Sequence, residues 1–207
     1  MKRNDNPSVF IIESLSFDDE QHNRFEGRFL SQILHLGEKE STYFYVQTKG
    51  ELKKALRLFG ASQYRYLHLS CHGSRTTIST TLDQISFSQL GELLQPYLEN
   101  KRLFLSACSA VNDNLARYVI PSSKCISIIG PATEIPFSDA AIIWASFYHL
   151  VFKENPEKMG RGQILATLHS ISDTFQVSLN YFWYSEDSER LYKNELIAPK
   201  PTNSERE

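Results

Sequence analysis

The sequence is short of cysteine, of clustered glycine, of excess charge and of long apolar runs. Three cysteines, Cys71, Cys108 and Cys125, are spread over 207 residues. So odd and sparse a set excludes a disulfide framework. Gly37, Gly50, Gly60, Gly91 and Gly130 each stand alone, so neither a phosphate-cradling loop nor a dinucleotide fingerprint can be written. Lys and Arg number 22 against 24 Asp and Glu, a net charge of −2. That balance argues against a generic binder of nucleic acid or of an anionic membrane, which needs a basic excess. The longest apolar stretch, residues 140–152, is interrupted by Ser146 and His149 and falls short of the ~20 residues that span a bilayer. The stretch 9–12 is too short for a signal-peptide core. A reducing, cytoplasmic compartment with free thiols is the expectation, with no membrane and no nucleic acid as direct partners.

What is present is material for a core. Hydrophobic residues make up 41% and aromatics 12%, which excludes global disorder. Short β-branched and aromatic runs at 9–13, 43–47, 66–70, 102–106 and 126–129 read as strands. Segments with helical spacing lie between or after them. Residues 18–36 carry Phe25, Phe29, Ile33 and Leu36 at intervals of three and four, opened by Ser16 with Asp19 three residues on. Residues 51–59 stop at Gly60, and 87–98 follow the capping-box pair Ser86 and Gln89. Residues 139–152 and 162–175 complete the set. The strand cores 10–12 and 103–105 are continuously apolar, which suits strands buried on both faces of a parallel sheet. Such alternation predicts a doubly wound α/β domain. The domain is expected over 1–184, with a polar extension at 185–207 whose end, from Pro199, reads as disordered. The Ser- and Thr-rich segment 73–82 reads as a surface loop or small hairpin.

In open α/β sheets function collects at the carboxyl ends of the parallel strands. The third expected strand ends in Ser70, Cys71, His72 and Gly73. The fourth ends in Ser106, Ala107 and Cys108. His72 and Cys108 lie 36 residues apart, room for one crossover helix, so neighbouring strands bring them to one sheet edge. A thiolate is the nucleophile, and a free cysteine at pKa ~8.5 is mostly protonated. An imidazole takes that proton and later returns one to a leaving amine. Gly73, with no Cβ, lets its backbone N–H approach a substrate carbonyl. With the N–H of Cys108 it forms a candidate oxyanion hole. Taken alone Cys108 reads as a buried thiol; paired with His72 it reads as a nucleophile. Cys71 points to the opposite face of its strand from His72 and reads as core, as does Cys125. His68 and His72 share a face but stand ~13 Å apart along a strand, too far for one zinc ion. His68 reads as a partly buried residue beneath the site, and no metal ligand set is assigned. Tyr181 to Tyr184 reads as a packed C-terminal edge or a protein-contact surface.

This pairing resembles the caspase-like cysteine peptidases, and within them the CHAT-type domains of bacteria. Further residues carry the resemblance: the strand and loop 128–138, the helix opened by Asp139, Ala140 and Ala141, the pair Phe147 and Tyr148 within it, and the helix around 163–168. It covers residues 9–175. It implies a three-layer caspase-like (caspase/haemoglobinase) α/β fold with a mostly parallel central sheet flanked by helices. It implies a cysteine endopeptidase with a protein substrate, in bacterial defence or programmed cell death, needing no cofactor and no metal. It also implies a separate activating or sensing protein that orders the active-site loops, expected at 73–82 and 111–114. Edge strands of such folds pair into homodimers, a role expected of 181–184. Two departures stand out. Ala110 occupies a position that is often Gly. Ser106 stands two residues before Cys108, where members that prefer basic residues carry an acid. Glu13, Glu134 and Asp139 are then the other candidates, with Ser106, to line a substrate pocket. An inactive caspase-like module that binds a partner is the alternative reading, supported by Ala110. A thiol hydrolase or acyltransferase on the same sheet is a third.

Overall fold

The computed structural model describes residues 9–201. In chain order the elements are β1 (Val9–Glu13), α1 (Phe17–Gln21), α2 (Glu26–Leu36), β2 (Ser41–Tyr45), α3 (Lys49–Ala61), β3 (Tyr66–Ser70), β4 (His72–Gly73), β5 (Thr77–Ser79) and β6 (Gln84–Ser86). There follow α4 (Phe87–Leu94), β7 (Arg102–Ser106), α5 (Asp113–Ser123), β8 (Ser127–Pro131), α6 (Phe137–Glu154), α7 (Arg161–Phe175), β9 (Leu179–Tyr184) and β10 (Tyr192–Ile197). Seven strands form one sheet in the order β10-β9-β8-β7-β3-β1-β2. β2, β1, β3, β7 and β8 run parallel, and β9 and β10 are antiparallel additions. A small sheet, β4-β5-β6, stands at the end of β3.

The apolar runs of the central strands are explained by burial on both faces. Val9, Ile11, Tyr66, Phe104 and Ile129 pack with α2, α6 and α7 in one cluster. The alternate residues Phe10, Ile12, Leu67, Leu69, Leu103 and Leu105 pack with α3, α4 and α5 in another. Successive side chains on a strand point to opposite faces, so a strand covered twice must be apolar throughout. The result is three layers, helices over sheet over helices. Among the described residues no helix is long and apolar enough to cross a membrane.

Five features differ from the sequence expectations. Residues 18–36 form two helices rather than one, because Asn23 takes a left-handed φ of 54° and ends the first. Residues 113–123 form α5, opened by the Asn112 cap. Pro121 hides it in the sequence, since an interior proline breaks a helix. Here it lies in the last turn, where the Ser122 and Ser123 hydroxyls donate to the Tyr118 and Val119 carbonyls. The C-terminal extension is not separate: β10 pairs with β9 as the edge of the sheet. The aromatic run 181–184 is therefore an inner strand between β8 and β10, not an edge free to pair with a second copy. Of the expected disordered tail, Lys200 is held by Asp173, its N–H donating at 3.0 Å and its ammonium at 2.8 Å. Residues 202–207 lie outside the described residues.

Candidate active site

β3 and β7 are neighbours in parallel register, Ser70 opposite Ser106, and the Cys71 N–H donates to the Ser106 carbonyl at 3.0 Å. The chain beyond each strand therefore emerges at the same edge. β3 leads into His72 and Gly73. β7 leads into the turn 107–110 that carries Cys108. The two segments pack against each other without a gap. A Cβ on Gly73 would meet the Ala107 Cβ at 2.8 Å, the Ala110 Cβ at 3.0 Å and the Cys108 carbonyl oxygen at 3.1 Å. Only glycine fits that contact.

The turn presents Cys108 half-buried, its Sγ 3.7 Å from the Ile135 carbonyl oxygen. Its geometry depends on Ser109, which takes a left-handed φ of 55°. Ser109 is fixed by its N–H on the Thr133 carbonyl at 3.2 Å and by the Asn112 side-chain amide on its own carbonyl at 2.9 Å. The Cys108 N–H donates to no described residue. That leaves it available to an incoming oxygen.

The sequence reading missed one member of this cluster. Nε2 of His72 lies 2.6 Å from Oδ2 of Asp19. Asp19 is buried, whereas the His72 side chain is 46% exposed. The Ser16 hydroxyl donates to the same carboxylate at 2.5 Å and the Arg24 guanidinium at 3.0 Å. Burial opposes the charge on Asp19, but these three donors outweigh it and hold the carboxyl down to about 2. A carboxylate only accepts, so Nε2 of His72 carries the hydrogen and Nδ1 of the neutral ring keeps its lone pair. The signal in the sequence was the pair Ser16 and Asp19, legible only as a helix opening. The break at Asn23 brings Arg24 back onto the carboxylate.

Beneath the cluster runs a buried polar chain. Tyr148 Oη lies 3.2 Å from His68 Nδ1, His68 Nε2 lies 3.3 Å from Glu26 Oε1, and the Ser106 hydroxyl donates to Glu26 Oε2 at 3.0 Å. His68 is fully buried there. Glu26 had no role in the sequence reading, although it opens α2 beside the site.

The pocket candidates separate. Ser106 is buried and engaged with Glu26. Glu13 does not line an open pocket: it is fully buried, accepting from the Gly27 N–H at 2.6 Å, the Arg28 N–H at 3.3 Å and the Tyr43 hydroxyl at 2.7 Å. It closes the N-terminus of α2, where a carboxylate complements the exposed N–H groups. Burial drives its pKa up to about 7 against those hydrogen bonds, with the charge of Glu26 adding to the rise. Glu134 is exposed in the loop before α6, and Asp139 lies half-buried in the first turn of α6, where the Ser138 hydroxyl donates to it. Cys71 and Cys125 are buried core thiols; burial pushes Cys71 far up and Cys125 up to about 12. The loops expected to await ordering carry regular bonding in this structure. Residues 72–86 form β4, β5 and β6, and Asn112 bonds the Arg75 carbonyl at 3.1 Å.

Two cavities flank His72. One, of about 520 Å³, is walled by Arg24, Phe25, Glu26, Phe137 and Ser138, with the Phe137 ring 6.1 Å from the His72 ring. The other, of about 370 Å³, is walled by His72 itself, Ser16 and the loop 79–84. Among the described residues no group of three or more His, Cys, Asp or Glu side chains is placed to hold a metal ion.

No protein-family model matches the sequence, and no curated protein does. Solved structures do. The Arg-specific cysteine proteinase gingipain R superposes with a TM-score of 0.50 at 14% identity, over 90% of this chain and 44% of its own. A secreted C11 cysteine protease from Bacteroides thetaiotaomicron superposes with a TM-score of 0.50 at 11% identity, over 86% of this chain and 66% of its own. Both are caspase-like cysteine peptidases. The fold of this chain is caspase-like. At these identities the likeness is one of fold, and the chain spans less than half of the first neighbour and about two thirds of the second.

Proposed function

We propose that this protein is a cysteine endopeptidase with Cys108 as nucleophile and His72 as its acid and base. The observation that carries the reading is the 2.6 Å contact between His72 and Asp19. It orients the imidazole with its Nε2 on Asp19, at the sheet edge where the Cys108 turn packs on Gly73. In this mechanism Nδ1 accepts the Cys108 proton. The thiolate adds to the scissile carbonyl, and the oxyanion lies on the N–H groups of Cys108 and Gly73. Asp19 stabilises the imidazolium, which protonates the leaving amine. Water, deprotonated by the same imidazole, then releases the acyl group from sulfur.

Glu26 extends the reading to specificity. Ser106 lacks the acid expected two residues before the nucleophile, but Glu26 sets a carboxylate 3.0 Å from its hydroxyl, in the wall of the 520 Å³ cavity beside the dyad. A buried carboxylate whose hydrogen-bond partners among the described residues are His68 and Ser106 suits a cationic P1 side chain, Arg or Lys. Ala110 is not by itself an argument for the inactive-module reading. The left-handed residue of the turn is Ser109, and Ala110 has no positive φ, so glycine is not required there. The resemblance of residues 9–175 to CHAT-type domains supports a regulated role in bacterial defence or cell death, with a protein substrate and a separate activating protein.

The test is alkylation by a peptidyl chloromethyl ketone carrying Arg at P1, with the adduct located by mass spectrometry. Labelling at Cys108, lost in His72→Ala, is expected, together with cleavage of candidate proteins by the parent and not by Cys108→Ala. Labelling at Cys71 or Cys125, or labelling of Cys108 unchanged in His72→Ala, removes the dyad.

A further inference from the structure

We infer that the second cavity, the one that His72 itself lines, receives the leaving half of the substrate, and that Leu82 selects an apolar residue just C-terminal to the scissile bond. The inference rests on the peptidase reading. It starts from proton transfer. His72 must hand its proton to the departing amine, so the chain attached to that amine leaves along the imidazole. The cavity of about 370 Å³ that includes His72 lies on that path, between Ser16 and the loop 79–84.

Leu82 stands at this cavity with 59% of its surface exposed. Its exposure is built into the loop. The Leu82 N–H donates to the Gln47 carbonyl at 2.9 Å, the Thr81 N–H to the Ser14 hydroxyl at 3.0 Å and the Thr80 N–H to the Asp83 carbonyl at 2.8 Å. The Asp83 carboxylate accepts from the Lys49 N–H at 2.7 Å. A loop bonded to β2, α3 and the end of β1 cannot turn its leucine inward. A ligand residue that covers this side chain gains by removing apolar surface from water. The polar groups around it are already engaged. The Ser16 hydroxyl is on Asp19, and the Thr81 hydroxyl lies near Ser14, Tyr45 and Glu20. Leu82 is the one hydrophobic side chain among the described residues that wall this cavity, and the carboxylate of Asp83 disfavours an acidic residue there.

The experiment uses internally quenched peptides randomised at P1, with Leu, Phe, Gly or Asp fixed after the scissile bond. The parent is expected to cleave the Leu and Phe sets with kcat/KM about tenfold above the Gly set, and the Asp set slowest. Leu82→Ser is expected to bring Leu and Gly within about twofold, and Leu82→Met to keep the preference. Alkylation of Cys108 by a chloromethyl ketone, which has no residue after P1, is expected to be unchanged in both variants. Cleavage without preference after the bond, or a preference that survives Leu82→Ser, overturns the inference and leaves the peptidase reading intact. Alkylation at Cys108 with no peptide cleaved overturns both.

Discussion

Asp19→Asn is the most informative single substitution, because it keeps the shape of the side chain and changes only which atoms accept. Three donors converge on the carboxylate: the Ser16 hydroxyl and His72 Nε2 on Oδ2, and the Arg24 guanidinium on Oδ1. An amide has one acceptor oxygen. If that oxygen stays with Arg24, the NH2 faces His72. The imidazole then turns its Nε2 lone pair to the amide and carries its hydrogen on Nδ1, where it no longer accepts the Cys108 proton. The expected loss in the rate of Cys108 alkylation is about a hundredfold, the lower end of general-base effects, because the half-exposed His72 ring is partly solvated. Stability changes as well. With the carboxyl held near 2 instead of its ordinary 3.8, its charged contacts are worth about 2 kcal/mol at neutral pH. A depressed carboxyl contributes above its unfolded pKa and loses that contribution as pH falls through the folded one. Urea unfolding is therefore expected to separate parent from variant by about 2 kcal/mol at pH 7 and by about half of that at pH 3. An Asp19→Asn protein that folds normally and alkylates within about threefold of the parent would refute the assignment of the His72 tautomer and of the role of Asp19.

Other perturbations follow the same logic. Glu13 has its pKa raised by burial to about 7 from an ordinary 4.5, so its contribution is fully present below about 4.5 and is lost as pH rises through about 7. The parent is expected to lose about 3 kcal/mol across that window relative to Glu13→Gln, measured as the difference between their denaturation midpoints; parallel pH profiles would contradict this. Gly73→Ala places a methyl 2.8 Å from the Ala107 Cβ. It is expected to cost about 1–3 kcal/mol and to slow Cys108 alkylation; a thermal midpoint within about one degree of the parent would show that the contact yields.

Much of the central layout was legible in the sequence because it is written locally. The apolar runs of β1, β3, β7 and β8 had to be strands covered on both faces, and the Ser86 cap had to start a helix. The placement of His72 and Cys108 at neighbouring strand ends followed from one crossover between them. The strand β10 was not legible. Its residues, Tyr192 to Ile197, are mixed in polarity because an edge strand faces solvent along much of its length. Helix α5 was masked by a proline, which the fold tolerates because it lies in the helix's last turn.

The sequence by itself determined the α/β class and the chain order of the five parallel strands, and it named His72 and Cys108 as candidates at neighbouring strand ends, since each depends on residues close in the chain. The tertiary structure decided which distant groups serve them. Asp19 reaches His72 across 53 residues and Ser106 reaches Glu26 across 80. Glu13, a pocket candidate by position, became the cap of α2 because β1 places its carboxylate at the Gly27 and Arg28 N–H groups. The physical reason is sheet order. β1 lies beside β3, and β3 beside β7, so the loops after these three strands meet at one edge. Polarity along a chain shows that a loop is there; only the lateral order of the strands shows what faces it.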